Sequence, residues 1–255
     1  MNNSGAVAVI PVQGIGMVQQ GDDLPDLIAA GLVSSEISLV AGDVVVVAQK
    51  VVSKAEGQLV DPATVPVTAA ARELSARSGK PAEVAALILA DTTSVMRAER
   101  GVVVVRNRHG HVLANAGIDA SNVAEGKLLL WPRDPDASAR AIRARLAADV
   151  PGGEIAVIIS DSMGRAWRMG TVGTAIGCAG LLPVRDRCGE ADLFGRVLQA
   201  TRIGVADEIA AAASLVIGEG AEGIPVAIVR GATYDRSDDA GVAPLLRPVA
   251  EDMFL

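Results

Sequence analysis

Short apolar runs recur along the chain, and segments with helical spacing lie between them. The runs are rich in Val, Ile and Leu and are bounded by Gly, Pro or polar residues, a pattern that is typical of buried strands. The predicted strands cover residues 6–12, 42–52, 101–105, 127–131, 154–160 and 224–230.

The segments between these runs predict helices. Asp22 and Asp23 are good N-cap residues, and apolar residues follow them at helical spacing as far as Gly31, where we expect the first helix to end. Further helices are predicted over residues 66–79, 81–89, 136–148 and 205–218. Because strands and helices alternate, the predicted fold class is α/β, with mixed sheets and flanking helices.

The composition limits which residue types can build the core and which class of partner the protein can bind. Half of the 255 residues are apolar but only 2% are aromatic, so the core must be built from Ala, Val, Leu and Ile. Such a core favours buried parallel strands over an all-β sandwich. The 23 Lys and Arg against 30 Asp and Glu give a net charge of −7, which argues against nucleic acid and favours a small-molecule partner.

Neither the apolar runs nor the cysteines indicate membrane insertion or export. No run reaches the roughly 18 to 20 apolar residues that span a bilayer, so no membrane segment is predicted. Cys178 and Cys188 are the only cysteines, and no signal peptide is evident. The expected location is therefore the cytoplasm, with both thiols reduced.

Asp161 is the strongest single candidate for chemistry. It comes directly after the apolar run 154–160, and open α/β sheets present their ligand sites at the carboxyl ends of strands. Ser162 beside it offers a second oxygen, and oxygen ligands suit Mg²⁺ or Mn²⁺ rather than zinc. Arg165 and Arg168 add donors for phosphate or carboxylate. The alternative is an aspartate that caps a turn beside two surface arginines.

Two further segments carry weaker signals. Residues 115–122 form a polar loop around Asp119, which turn chemistry alone would explain. Two carboxylates from distant segments can nevertheless share one metal at a nucleotide site. Lys50 and Lys54 lie at the end of the run 42–52, where a lysine can reach a phosphate, although most lysines are simply solvated.

Several common kinds of site are disfavoured. No GxxxxGK[ST] loop is present, and the GIG of residues 14–16 lacks the further glycine of a dinucleotide-binding fingerprint. His109 and His111 occupy alternate positions of an expected strand without additional zinc ligands. We therefore expect one histidine to hydrogen-bond substrate and the other to be exposed.

Six longer blocks occur in one order along the chain: GDVVVVAQKVVSKAEG, RHGHVLANAGIDASN, SDSMGRAWRMGTVGTAIGCAG, DLFGR, VADEIAAAASLVIGE and EGIPVAIVRG. Together they resemble the coenzyme F420:L-glutamate ligase family, from about Ile10 to the RPVAEDMF tail. The blocks around Lys54, Asp119 and Asp161 are not generic α/β sequence, which makes the resemblance specific.

The resemblance implies an enzyme that forms carbon–nitrogen bonds, namely a GTP-dependent ligase of coenzyme F420 biosynthesis. Such a ligase adds L-glutamate to the lactyl carboxylate of the deazaflavin F420-0 and then further glutamates through γ-linkages, with Mg²⁺ or Mn²⁺. We expect an acyl phosphate intermediate, since phosphorylation gives a carboxylate a good leaving group. The resemblance also implies an intertwined homodimer. Each chain is expected to be one ligase domain over residues 1–255, divisible at most into two sub-lobes, without the nitroreductase-like extension of fused actinobacterial relatives.

The resemblance also assigns site roles position by position. The divalent metal falls on Asp119, Asp161 and Ser162, and catalysis on the two aspartates together with Lys54. The nucleotide contacts fall on Ile15, Gly16, Met17, Val18, Gln49, Lys54 and Asn122. Residues 218–222 also approach the nucleotide in the family, although no single residue there can be transferred.

Two alternatives to this function stay open from the sequence. One is a related ligase that uses the same metal and nucleotide on another carboxylate. The other is a catalytically silent nucleotide-binding module, which the presence of both Asp119 and Asp161 disfavours. Cys188 lies in a segment that departs from the family arrangement, so the acceptor and the number of glutamates added are not fixed.

Overall fold

The computed structural model describes residues 5–253, so residues 1–4 and 254–255, which include the last residue of the RPVAEDMF tail, lie outside the described part. The helices are α1 (Leu24–Ser34), α2 (Gln49–Ala55), α3 (Ala69–Ser78), α4 (Ala82–Ala90), α5 (Pro135–Ala147) and α6 (Val205–Ile217). The strands are β1 (Ala8–Val12), β2 (Val44–Ala48), β3 (Leu59–Val60), β4 (Thr92–Glu99), β5 (Val102–Asn107), β6 (Val112–Ala114), β7 (Leu128–Leu129), β8 (Ala156–Arg165), β9 (Arg168–Ala179), β10 (Arg185–Asp186), β11 (Arg202–Ile203) and β12 (Val226–Arg230).

The main sheet has five strands in the order β1-β12-β2-β8-β9. Strands β2 and β8 run parallel, with Val44 opposite Ala156 and Ala48 opposite Ser160. The other neighbouring pairs are antiparallel. The α/β class with mixed sheets is confirmed, whereas the preference for parallel strands holds only for this central pair.

Helices cover both faces of the main sheet. Val45 and Val47 of β2 point into a core shared with α1 and α5, and Val44 and Val46 point into the opposite core, which α6 covers. Because successive strand residues face opposite sides, a strand buried on both faces is apolar throughout. This explains the uninterrupted valines of β2.

A second, smaller sheet in the order β4-β5-β6 packs against α3 and α4. Its core is separate and includes Leu74, Ile88, Val103 and Val105. The sequence analysis missed β4, β6 and β9, because their exposed or glycine-rich segments show no clear apolar run, and it also missed the two-residue strands β3, β10 and β11. The predicted strand 101–105 corresponds to β5.

Three predicted boundaries are wrong. The run 42–52 is not one strand, because β2 ends at Ala48 and α2 begins at Gln49. The strand predicted to end at residue 160 continues to Arg165, since β9 pairs with it. Helix α1 passes through Gly31 and ends at Ser34. A Cβ at Gly31 would lie 2.8 Å from Ile15 Cγ1, so this glycine permits close packing rather than ending the helix.

The two cysteines are free thiols, as expected, with Cys178 buried and Cys188 exposed. Within residues 5–253, none of the helices has the length and apolar character needed to cross a bilayer.

Candidate active site

A cavity of about 1040 Å³ opens at the edge of the main sheet where the pairing of β2 with β8 ends, at Ala48 and Ser160. Its wall includes nearly all the residues to which the sequence assigns a metal or nucleotide role. They are Ile15, Gly16, Met17, Val18, Gln49, Lys54, Asn122, Asp161 and Ser162. Residues 218–223 complete the wall on the side of α6.

Asp161 lies within β8, so the expectation of a carboxylate placed directly after the strand is wrong. Its Oδ2 accepts a hydrogen bond from Trp131 Nε1 at 2.8 Å, and its Oδ1 accepts one from the Ser162 amide at 2.8 Å. Burial raises the pKa of Asp161 to about 6, against the opposing effect of these two donors. The two hydrogen bonds therefore hold the Asp161 carboxylate in place, but they offset only part of the cost of burying its negative charge.

Asp119 pairs with Lys50, which lies on α2 and lines the cavity. The other oxygen of Asp119 accepts a hydrogen bond from the Ser121 amide at 2.6 Å. Burial alone would raise the pKa of Asp119, but the hydrogen bonds from Lys50 and Ser121 outweigh burial and hold the pKa below its usual value. Asp119 itself is not part of the cavity wall, whereas its partner Lys50 is.

Lys54 and Asn122 connect three segments around the cavity. The Lys54 ammonium donates to the Asn122 carbonyl at 2.8 Å, and Asn122 Nδ2 donates to the Gly220 carbonyl at 2.9 Å. Asn122 has a φ of 55°, in the left-handed region that asparagine tolerates better than most residues. Burial, and to a smaller extent the Lys50 charge, lowers the pKa of Lys54. Helix α2, the Asp119 loop and the Gly220 loop thus form one hydrogen-bonded rim.

The remaining predicted nucleotide contacts differ in character. The Gln49 side chain turns into the core, where Nε2 donates to Ser53 Oγ at 2.7 Å and to the Leu130 carbonyl at 3.3 Å. This residue is only 2% exposed, so its amide nitrogen supports α2. In the loop 15–18, Ile15 and Val18 are buried while Met17 is 82% exposed.

Other candidate residues are not brought to the cavity. Arg165 and Arg168 lie at the exposed tip of the β8–β9 hairpin, where Arg165 donates to the Met169 carbonyl at 3.3 Å. His109 and His111 lie in the turn between β5 and β6, not on a strand. His111 is buried, contrary to the expected pairing of a substrate ligand with an exposed histidine.

Two residues of the site were missed or undervalued from sequence. Trp131, only 2% exposed, donates to Asp161 and packs edge-on against His111, with ring centroids 5.2 Å apart. No local pattern around Trp131 indicates this contact, because 30 residues separate donor and acceptor. Lys50 carried a signal, since it precedes Lys54 by one helical turn, but the predicted strand hid that spacing.

The donor set fits a hard divalent cation. Within residues 5–253, no three His, Cys, Asp or Glu side chains are grouped closely enough to hold a metal by themselves. Asp119, Asp161 and Ser162 offer only oxygen atoms, and Mg²⁺ commonly takes one or two carboxylates and fills its shell with phosphate and water. Asp161, whose burial raises its pKa despite its two hydrogen-bond donors, would gain from the positive charge of a metal, which adds to this fit. A metal that arrives with a nucleotide suits such an incomplete site.

The F420-0:gamma-glutamyl ligase family model matches residues 14–231. The coenzyme F420:L-glutamate ligase of Methanothermobacter thermautotrophicus is 45% identical over 249 residues, which cover 97% of this chain and 98% of that protein. The ligase of Archaeoglobus fulgidus is 45% identical, with 88% of each chain covered. That of Methanocaldococcus jannaschii is 41% identical, with 84% of each chain covered. By its sequence over nearly its whole length, the chain belongs to the F420-0:gamma-glutamyl ligase family.

Proposed function

We propose that this protein is the GTP-dependent ligase that joins L-glutamate to the lactyl carboxylate of F420-0 and then adds further glutamates through γ-linkages. The observation that carries the proposal is one cavity lined by Asp161, Ser162, Lys50 and Lys54, in a chain of this family. Carboxylate and hydroxyl oxygens on one side and ammonium groups on the other suit a metal-bound triphosphate.

The metal and the nucleotide take different parts of the cavity. Asp119, Asp161 and Ser162 would hold Mg²⁺ or Mn²⁺, which when bound would supply positive charge to the phosphates. Lys54 offers a point charge to a phosphate. The loop 15–18, Asn122 and the loop 218–223, to which Asn122 is hydrogen-bonded, would contact the remainder of the nucleotide.

The chemistry follows from the poor reactivity of a carboxylate towards amines at neutral pH. A lactyl carboxylate oxygen attacks the γ-phosphorus of GTP, the bond to the β–γ bridging oxygen breaks, and GDP leaves. The glutamate amine then attacks the acyl carbon, loses a proton and expels inorganic phosphate. Lys50 and Lys54 supply positive charge near the transferring phosphoryl group, where charge stabilisation has its largest effect on rate.

A covalent enzyme intermediate is the less suitable route. Cys178 is buried in β9, and burial raises its pKa to about 12, so it stays a protonated thiol. Among residues 5–253, the cavity wall contains neither of the two cysteines nor either histidine. A nucleophile activated by a neighbouring histidine therefore has no place in this wall.

The decisive experiment is incubation of the protein with F420-0, L-glutamate, GTP and Mn²⁺, followed by mass spectrometry. We expect products heavier by one and then more glutamyl units, with GDP and phosphate released. With ¹⁸O in the lactyl carboxylate, one labelled oxygen should appear in the phosphate. Unlabelled phosphate, or label in a nucleoside monophosphate, would contradict the acyl phosphate, and turnover only with another carboxylate would contradict the acceptor.

We also propose that the protein is a homodimer. Large apolar side chains are exposed at the β8–β9 tip and in the segment between β10 and β11, among them Met169 at 95%, Leu193 at 101% and Phe194 at 83%. Exposed apolar side chains at this density favour burial against a partner. Light scattering coupled to size-exclusion chromatography should give twice the 26.0 kDa chain mass. A monomer at micromolar concentration would contradict this.

A further inference from the structure

Lys50 interacts with both of the carboxylates that the proposed function assigns to the metal. Its ammonium pairs with Asp119 Oδ2, and its charge also acts on Asp161. The Lys50 and Asp119 side chains are 24% and 31% exposed, so the pair lies at the cavity wall and is only partly hydrated. An ion pair in such a position is stronger than one on an open surface.

The arrangement leaves Asp119 with few free acceptor sites. Its Oδ1 already receives the Ser121 amide, and the Lys50 ammonium covers Oδ2. Lys54 lies one helical turn further along α2, and its ammonium donates to the Asn122 carbonyl instead of to Asp119. The two lysines thus share a helix face, but only Lys50 pairs with a carboxylate assigned to the metal.

We propose that Lys50 is a resident cation that a divalent metal must displace from Asp119, an inference that rests on the proposed function. An ammonium and a dication on one carboxylate repel each other, so the metal gains less from Asp119 while Lys50 stays there. Once displaced, Lys50 faces the cavity, where the phosphates of the nucleotide are anionic partners. Metal alone therefore binds weakly, and metal with nucleotide binds well.

This role makes Lys50 a positioning residue for metal loading. It also keeps Asp119 paired before the substrates arrive, which avoids leaving two partly buried carboxylates without a counter-charge. Binding of the metal and of the nucleotide is coupled through one side chain, and such coupling is reciprocal by thermodynamic linkage.

The test is Mn²⁺ binding to the full chain without nucleotide, measured by the electron paramagnetic resonance signal of free Mn²⁺. Lys50→Met should bind Mn²⁺ about tenfold more tightly than wild type, because it removes the competing charge and keeps the side-chain length. Lys50→Arg keeps a cation and should match wild type. Lys54→Met removes an equal charge one turn away and serves as the matched control, with an expected change below about threefold.

Equal Mn²⁺ affinity in wild type and Lys50→Met, including no detectable binding by either, would overturn the inference. An equal gain in Lys54→Met would also overturn it, since the effect would then be general electrostatics. If Met at this half-buried position prevents folding, Lys50→Gln gives the same comparison, because it hydrogen-bonds to Asp119 without a charge.

A parallel titration with Mn²⁺ and GDP separates this inference from the proposed function. Loss of Mn²⁺–GDP binding in Asp161→Asn, together with no gain in nucleotide-free Mn²⁺ affinity in Lys50→Met, would leave the metal site standing and the Lys50 role refuted. Unchanged binding in both Asp119→Asn and Asp161→Asn would refute the metal assignment, and the Lys50 inference with it.

Discussion

Strands β2 and β8 begin alike and end differently. They are parallel neighbours, and Val44–Val47 and Ala156–Ile159 are fully buried in register with each other. After Ala48 the chain turns into α2, whereas β8 continues as a strand to Arg165. The difference gives one side of the cavity a helix with two lysines and the other side a strand with Asp161 and Ser162.

The neighbours of each strand explain the difference. Strand β2 pairs with β12 only as far as Val47, and the Ala48 amide then donates to the carbonyl of Pro225, which precedes β12 and has no amide to extend the ladder. Strand β8 has the long partner β9, which keeps pairing through Gly164. Where a strand ends is therefore decided by pairing, not by its own apolar run.

The largest expected effect comes from substituting the two carboxylates that are assigned to the metal. Asp119→Asn and Asp161→Asn should each lower kcat by about 10³-fold, because a metal carboxylate stabilises transition-state charge rather than the fold. Steady-state assays of GDP release, with circular dichroism to confirm folding, measure this. Asp26→Asn, which removes an exposed carboxylate paired with Arg145 outside the cavity wall, is the matched control. Activity near wild type in either site variant would end the metal assignment.

Substitution of a lysine on α2 should affect nucleotide binding more than the rate of the chemical step. Lys54→Ala should weaken GDP binding by about tenfold to thirtyfold, since a charge-assisted contact to phosphate is lost. Isothermal titration calorimetry with Mn²⁺ present measures the change. Lys127→Ala removes a lysine that pairs with Asp61 and lies outside the cavity wall, so its GDP affinity should stay at the wild-type value. Equal loss in both variants would count against a specific role of Lys54.

The two strand ends also show how far the sequence could predict this protein. The apolar cores of β2 and β8 were predicted, because burial on both faces leaves a continuous valine and isoleucine run. The predicted end of β2 lies too far along the chain, and the predicted end of β8 comes too early. Val51 and Val52 extended the apolar run although they belong to α2, and Asp161 interrupted the run although β9 continues the pairing.

The candidate site was predictable where a residue carries its own chemistry, and not where its role depends on a contact. The structure places Asp161, Ser162, Lys54 and Asn122 at one cavity, while their metal and nucleotide roles stay predictions. The arginines of the hairpin tip looked equally suitable in sequence but lie outside the wall. Trp131 gains its role only through a hydrogen bond across the fold.

A third prediction concerns stability and pH. The raised pKa of Asp161, about 6, means that the folded protein binds a proton more tightly at this site than the unfolded chain does. Ionised Asp161 therefore lowers the free energy of unfolding above pH 6. This loss of stability disappears as the pH falls from the pKa of Asp161 in the folded protein towards its pKa in the unfolded chain. Between pH 8 and pH 4.5, wild type should gain about 1 to 2 kcal/mol relative to Asp161→Asn in metal-free buffer.

Urea unfolding of both proteins at the two pH values measures this difference, with Asp26→Asn as the control for a general effect of losing a carboxylate. A difference that is independent of pH would show that Asp161 is ionised normally. Added Mn²⁺ and GDP should abolish the pH-dependent difference for wild type, because a bound cation supplies the missing counter-charge.

The smallest expected effect comes from Trp131→Phe, and it tests whether β8 itself positions Asp161. The substitution keeps an aromatic ring against His111 and removes the donor to Asp161 Oδ2. The Ser162 amide still holds Oδ1, so binding of Mn²⁺ with GDP should weaken only about threefold to fivefold, the worth of one hydrogen bond. Trp167→Phe makes the same change at the exposed hairpin tip and should have no effect on this affinity. A loss as large as that of Asp161→Asn would mean that the indole, rather than the paired strand, fixes the carboxylate, and the contrast between a strand-held and a helix-held side of the cavity would fail.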